Sequence, residues 1–207
     1  MISTKSVSRL ALGTFLCFGI AVTKPGYAQG LVSRYAIDFL RGPGTYLLAD
    51  GTAGQGNLQF KTRGESVLYV NKKQKFSASQ VRSFTINGHT LVPQGIFDFE
   101  FGLHSYHADN AFIEYADTTG PLQLAVYYTA EPTGNMTSYF TTFLVRPRGT
   151  QAFETGPDNN NKWRKAERQR MAPFFAPWPE LQQAVLSGTV TFENFPDYLR
   201  RANQQGR

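Results

Sequence analysis

In the run Ile96-Phe97-Asp98-Phe99-Glu100-Phe101 two carboxylates stand two residues apart, so an extended strand would project both to one side, roughly 6 to 7 Å apart. Joined by an acid from another strand, Glu114 or Asp117, such a pair has the makings of a glycosidase site, in which one group gives a proton while the other attacks or activates water. The plainer reading is a solvated acidic face, with the phenylalanines turned inward, and it is the one favoured here. Three potential metal ligands follow within six residues, His104, His107 and Asp109. Strand geometry sends His104 and His107 to opposite faces, so they share an ion only if the segment is a turn, which Asp109-Asn110 permits. A polar turn with surface imidazoles is the simpler expectation, and no cofactor is implied.

Two further groups could bind rather than react. Tyr106, Tyr127 and Tyr139, if exposed, would make an aromatic platform for a glycan or peptide, although aromatics alternating on strands are more often core. The densest basic segment, Lys162 to Arg170, predicts a helix with Trp163, Ala166 and Arg170 on one side and Arg164, Lys165 and Arg168 spread over the other. Arg164, Lys165, Arg168 and Arg170 would suit an anionic membrane or a polyanion. The narrow apolar stripe favours instead a Trp packed on the sheet with the charges in water. No Gly-rich loop ends in Gly-Lys-Ser/Thr and no Gly-x-Ser-x-Gly elbow is present, which removes the usual phosphate cradle and the hydrolase serine.

The elements that must position these groups are chiefly strands. The chain has 207 residues, 41% hydrophobic and 17% charged, with 17 Phe, 10 Tyr and 2 Trp, a composition that favours one packed, sheet-rich domain over disorder. Residues 1–28 read as an export signal: Lys5 and Arg9, an apolar run from Leu10 to Val22, then Gly26-Tyr27-Ala28 ahead of Gln29. That run is too short to span a bilayer, so no transmembrane span is expected in the mature chain. The single cysteine, Cys17, lies inside it, so a cleaved product has no thiol and no disulfide, which suits a bacterial periplasm or exterior. Lys5, Arg9 and Lys24 account for three of the net six positive charges. The rest is uneven: Lys61 to Arg82 holds six bases and one acid, whereas Asp98 to Glu131 holds six acids and no Lys or Arg.

Short β-type runs punctuated by Gly, Pro, Asn and Asp predict an antiparallel β domain over 29–146, with Asn87-Gly88 as the clearest tight hairpin turn. Gly42-Pro43-Gly44 and Gly51 to Gly56 read as turns. Residues 147–161 read as a polar linker or loop, and 162–207 as three short helices, one opening at Pro179 and ending at Gly188. The expected fold is mainly β, an antiparallel meander forming a sandwich or partly open barrel, followed by a small three-helix annex.

The phrase Ser79 to Gly88, with its strand, aromatic acidic strand and hairpin ending near Tyr127-Tyr128, and the tail Phe174-Phe175 to Leu181 then Phe195 to Asn203, resembles exported β-sheet proteins of Gram-negative bacteria that have no established activity. The resemblance implies a location and an architecture. The Asn-rich stretch at 157–161 departs from that pattern. Separately, the acidic strand resembles the Glu-x-Asp-x-Glu strand of some β-sandwich glycoside hydrolases, but Ile96 stands in place of the first Glu. Together these point to an exported, non-enzymatic binding or interaction module whose partner is a glycan, a peptide or another envelope protein. A carbohydrate-active hydrolase and a peripheral membrane or polyanion binder are the alternatives. Without a recognisable binding fold, nucleic acid is not an expected partner.

Overall fold

The computed structural model describes residues 41–62, 66–101, 104–133, 136–159 and 163–206, with the backbone alone over 99–101, 104–106, 131–133 and 136–138. The export signal and its cleavage point lie outside the described residues.

Ten strands form one antiparallel sheet: β1 (Arg41–Leu48), β2 (Ala53–Lys61), β3 (Val67–Val70), β4 (Gln74–Ser77), β5 (Val81–Ile86), β6 (His89–Gln94), β9 (Ala111–Asp117), β10 (Leu122–Thr133), β11 (Met136–Pro147) and β12 (Glu154–Asp158). Their order across the sheet is β12-β11-β10-β9-β6-β5-β1-β2-β3-β4, and β7 (Phe97–Phe101) with β8 (His104–Ala108) makes a separate hairpin inserted between β6 and β9. Helices α1 (Lys165–Met171), α2 (Pro179–Ser187) and α3 (Phe195–Gln205) follow.

The sheet curls into a half-barrel, and three phenylalanines show how tightly. β2 and β9 are four strand intervals apart, about 19 Å in a flat sheet at ~4.8 Å per interval. Yet Phe60 on β2 and Phe112 on β9 place their ring centroids 5.6 Å apart, edge to face, with Phe84 of β5 at 4.9 Å from Phe112. The face carrying these rings is therefore concave, and they fill it. Towards β10 and β11 the filling passes to the annex, where Phe192 stacks on Phe143 at 4.6 Å and Phe195 lies at 5.6 Å from the same ring. The convex face of β9 to β11 is covered by the inserted hairpin, whose Phe97 meets Tyr127 edge-on at 5.2 Å.

Local chemistry explains most elements. Asn87 and Gly88 turn β5 into β6 at φ 49° and 84°, a left-handed pair that opposes Ile86 to His89. Pro179 opens α2 and Gly188 closes it at φ 83°, its N–H donating to Val185 O while Thr189 N–H donates to Ala184 O.

Three expectations need correction. Gly42-Pro43-Gly44 and Gly54 to Gly56 are not turns but strand residues of β1 and β2. A Cβ on Gly44 would sit 2.1 Å from Thr85 O, and one on Gly54 would sit 2.4 Å from the Tyr46 ring that lies across it on the paired strand. The glycines thus admit a neighbour rather than break the chain. Within the expected linker 147–161, Glu154–Asp158 forms β12 on β11. Its Gly156 leaves room for Phe195 and Phe143, and Pro157, which lacks an N–H, is tolerated because β12 is an edge strand. In α1 the buried positions are Glu167 and Met171, with Trp163 ahead of the helix, while Ala166 and Arg170 are exposed, because the helix starts three residues later than the basic run.

Candidate functional site

Asp98, Glu114 and Asp117 do not converge, and the Glu100 side chain lies outside what is described. Asp98 stands on β7 with its neighbour Phe97 turned into the sheet, leaving its own side chain 84% exposed. Its oxygen lies 2.7 Å from His107 Nδ1, and His107 Nε2 lies 3.1 Å from Asp109 Oδ1. The hydrogen bond to Asp98 raises the His107 pKa above its usual value, slight burial opposes it, and the charge of Asp109 adds to it. Both ring nitrogens are thereby engaged by carboxylates. His104 begins β8, so the segment is a strand rather than the turn that a shared ion required. Among the described residues no group of three His, Cys, Asp or Glu side chains could hold a metal ion.

Glu114, offered above as a further catalytic acid, belongs to the opposite face. Its position pairs with Leu91 of β6 and Val126 of β10, both in the concave core. Buried there, it accepts a hydrogen bond of 2.6 Å from Tyr128 Oη and lies 3.0 and 3.1 Å from His89 Nδ1 through its two oxygens. The three side chains tie β6, β9 and β10 diagonally and are all shielded from bulk water. Sequence reasoning missed His89; the available signal was its place directly after the Asn-Gly turn, on the face shared by Ile86 and Leu91.

Asp117 is occupied too. Burial alone would raise its pKa, but the Thr119 N–H, the Asn203 amide and the Thr119 hydroxyl donate to it and Arg200 lies near, and together they hold it below the usual value. Asn203 also exchanges two bonds with Leu122, accepting from its N–H at 3.0 Å and donating to its carbonyl at 2.9 Å. This amide bolts α3 to the β9–β10 turn.

The tyrosine platform does not form. Tyr127 is buried under Phe97 on the convex side, sharing its face with Leu144, whereas Tyr139 shares its face with Phe143 on the concave side and is 37% exposed. Tyr106 contributes a position on β8, its side chain being outside what is described. The basic segment is largely used internally. Arg164 chelates the buried Glu167 through its backbone N–H and guanidinium, Arg168 donates to Leu186 O at 2.7 Å, and Arg170 Nε lies 3.6 Å from Glu154. Lys165 is exposed.

A different place has the shape of a site. On the outer side of β2-β1-β5 lies an open depression of about 500 Å³. Its lining includes Thr45, Leu47, Gln55, Ser83 and Thr85, which alternate with the core residues Tyr46 and Phe84 and therefore point away from the barrel. The hydroxyls of Thr45, Ser83 and Thr85 and the Gln55 amide surround Leu47, and no Asp, Glu, His, Lys or Arg is among the lining residues. None of these residues carried a recognisable motif, since their meaning depends on pairing across three strands. No family model, curated protein or solved structure matches the chain.

Proposed function

We propose that the protein is an exported, non-enzymatic binding module of the bacterial envelope, and that its ligand is a glycan held on the outer face of β2-β1-β5. The carrying observation is the depression itself. Its volume, about 500 Å³, falls in the range of small-ligand sites, and its hydroxyls and amide around Leu47 match the polar edge and apolar face of a pyranose ring. The concave side offers less, because Phe60, Phe84, Phe112 and the annex fill it. Glu114 is buried in the concave core, Asp98 is exposed on the inserted hairpin and Asp117 is held by Thr119 and Asn203, so these three do not face one substrate, which weighs against the hydrolase alternative built on them. Export rests on the pattern of residues 1–28 and on a remaining chain without cysteine.

A thermal-shift screen over neutral and acidic oligosaccharides tests the reading. A binder should raise the melting temperature without release of new reducing ends, and Thr45→Val with Gln55→Ala should abolish the rise. Hydrolysis of any oligosaccharide, or no shift across the panel, overturns it. N-terminal sequencing of the protein recovered from cell fractions tests export separately, with Gln29 expected first.

A further inference from the structure

The face that carries the depression continues along β1 and β2 to a row of positive charge. The register aligns Lys75 of β4, Tyr69 of β3, Gln59 of β2 and Arg41 of β1 side by side. These positions alternate with the core residues Leu58, Leu68 and Phe76, so all four share the outer face with Thr45 and Gln55. Lys61, two residues beyond Gln59 on that face, holds its ammonium 4.8 Å above the Tyr69 ring. Arg41, Lys61 and Lys75 are exposed. Neither Arg41 nor Lys61 has a carboxylate partner among the described residues.

The surrounding charge is one-sided. Strands β1 to β6 contain no Asp or Glu at all, while β7 to β9 contain Asp98, Glu100, Glu114 and Asp117. Asp50, in the β1–β2 turn, stays an anion because Thr52 N–H donates to it at 2.8 Å, but it follows the end of β1 opposite to Arg41. Four positions apart on one strand, Arg41 and Thr45 stand about 13 Å from each other, and the row from Lys75 to Arg41 is about 14 Å wide. The neutral depression and the basic row therefore form one elongated strip.

We infer that the strip binds an acidic polysaccharide, a sugar chain bearing carboxylate, sulfate or phosphate groups, with neutral ring atoms in the depression, an anion at Arg41 and Lys61, and a ring face on Tyr69. The inference rests on the glycan reading above and narrows it to one class. Charge complementarity selects the occupant: Arg41 and Lys61, without a carboxylate partner among the described residues, on strands that hold no acid attract an anion, and hydroxyls with an amide suit the sugar that bears it.

The test is titration of the purified protein with a labelled oligogalacturonate and with a neutral cello-oligosaccharide of equal length. Salt is set at about 0.02 and about 0.2 M, between which the Debye length falls from about 20 to about 7 Å. The acidic chain should bind at least about tenfold more tightly at low salt and lose most of that advantage at high salt. Arg41→Ser with Lys61→Ser should remove the advantage and leave the melting temperature and the neutral chain's affinity unchanged. If that double variant melts early, single Arg41→Gln and Lys61→Gln replace it. Equal affinity for both chains overturns the acidic class while leaving the glycan reading intact, and binding of neither overturns both. Loss of binding in Arg164→Ser with Lys165→Ser but not in the strand variant moves the site to α1 and overturns the assignment. Preferential binding to phosphatidylglycerol vesicles over the soluble acidic chain does so as well.

Discussion

Replacing Asn203 by Ala is the sharpest probe of how the annex is held. The residue is 1% exposed, and its carboxamide makes three hydrogen bonds: from Leu122 N–H, to Leu122 O, and to Asp117 Oδ2. Leu122 is itself 3% exposed, so its N–H and C=O would lose their partner without gaining water. A buried backbone group left unsatisfied costs about 1–3 kcal/mol, and the bond to a half-exposed carboxylate adds less, which puts the loss at about 3–5 kcal/mol. For a domain of this size that is a fall in Tm of about 10 °C, at roughly 2–4 °C per kcal/mol. Circular dichroism melts of Asn203→Ala beside Gln204→Ala, an exposed neighbour on the same helix turn, give the comparison. A second arm uses Gly120, where an added Cβ would lie 2.2 Å from Asn203 Cγ. Gly120→Ala should be harmful alone and much less so in an Asn203→Gly background, which also removes the Asn203 Cβ that lies 2.4 Å from the added group, so this double-mutant cycle should show a coupling above about 1 kcal/mol. A Tm drop for Asn203→Ala no larger than that of Gln204→Ala, or strict additivity of Asn203→Gly with Gly120→Ala, would refute the bolt.

Other consequences can be checked as directly. Tyr128→Phe removes the 2.6 Å donor to the buried Glu114 carboxylate and should cost about 1.5–3 kcal/mol in urea unfolding, with an unchanged m-value. Gly44→Ala should fail to give soluble protein, because its Cβ meets the backbone oxygen of Thr85, whereas Gly51→Ala, with open space but φ 91°, should fold with a loss of about 1–2 kcal/mol. Asp117 is held below its ordinary pKa of 3.8 in the fold, so its contribution is complete above that value and disappears as pH falls through the lower folded value; acid melts should lose less stability over this range in Asp117→Asn. His107, raised above 6.5, contributes below that pH and ceases to as pH rises through its folded value, and NMR titration should show its midpoint returning towards 6.5 in Asp98→Asn.

What the sequence disclosed was whatever depends on neighbours along the chain. The Asn87-Gly88 turn, the Phe97/Asp98 alternation, the Pro179 start and the Gly188 stop are local, because each is decided by backbone torsions or side-chain period within a few residues. The annex itself and the mainly β character follow from the same signals. What it hid depends on pairing across strands. Gly44 and Gly54 look like turn residues until Thr85 O and the Tyr46 ring are placed against them. Tyr127 and Tyr139 look like one platform until the β10–β11 register puts them on opposite faces. Glu114 was selected as an acid, but its partners His89 and Tyr128 lie 25 and 14 residues away, and nothing in their spacing marks them as companions. The depression, made of common Thr, Ser, Gln and Leu, had no signature of its own.

The curl of the sheet decides which surface is left for a ligand. Closing β2 towards β9 brings Phe60, Phe84 and Phe112 into mutual contact, so the space that a wider barrel would leave for a ligand is already taken by the chain's own rings. The His89–Glu114–Tyr128 network sits on that filled side, where it fixes the register of three strands in an otherwise apolar wall: a one-residue slip of β9 would turn Glu114 outwards and leave His89 and Tyr128 without the carboxylate. On the convex side, β9 to β11 are covered by the inserted hairpin, so Phe97 and Tyr127 spend that face on packing. The wall that no described element covers is β4 to β5, and it is the part of the sheet whose strands carry bases and hydroxyls but no acid. The proposed acidic ligand would meet like charge on the hairpin side, at Asp98 and Asp109, and, among the described residues, opposite charge on this wall.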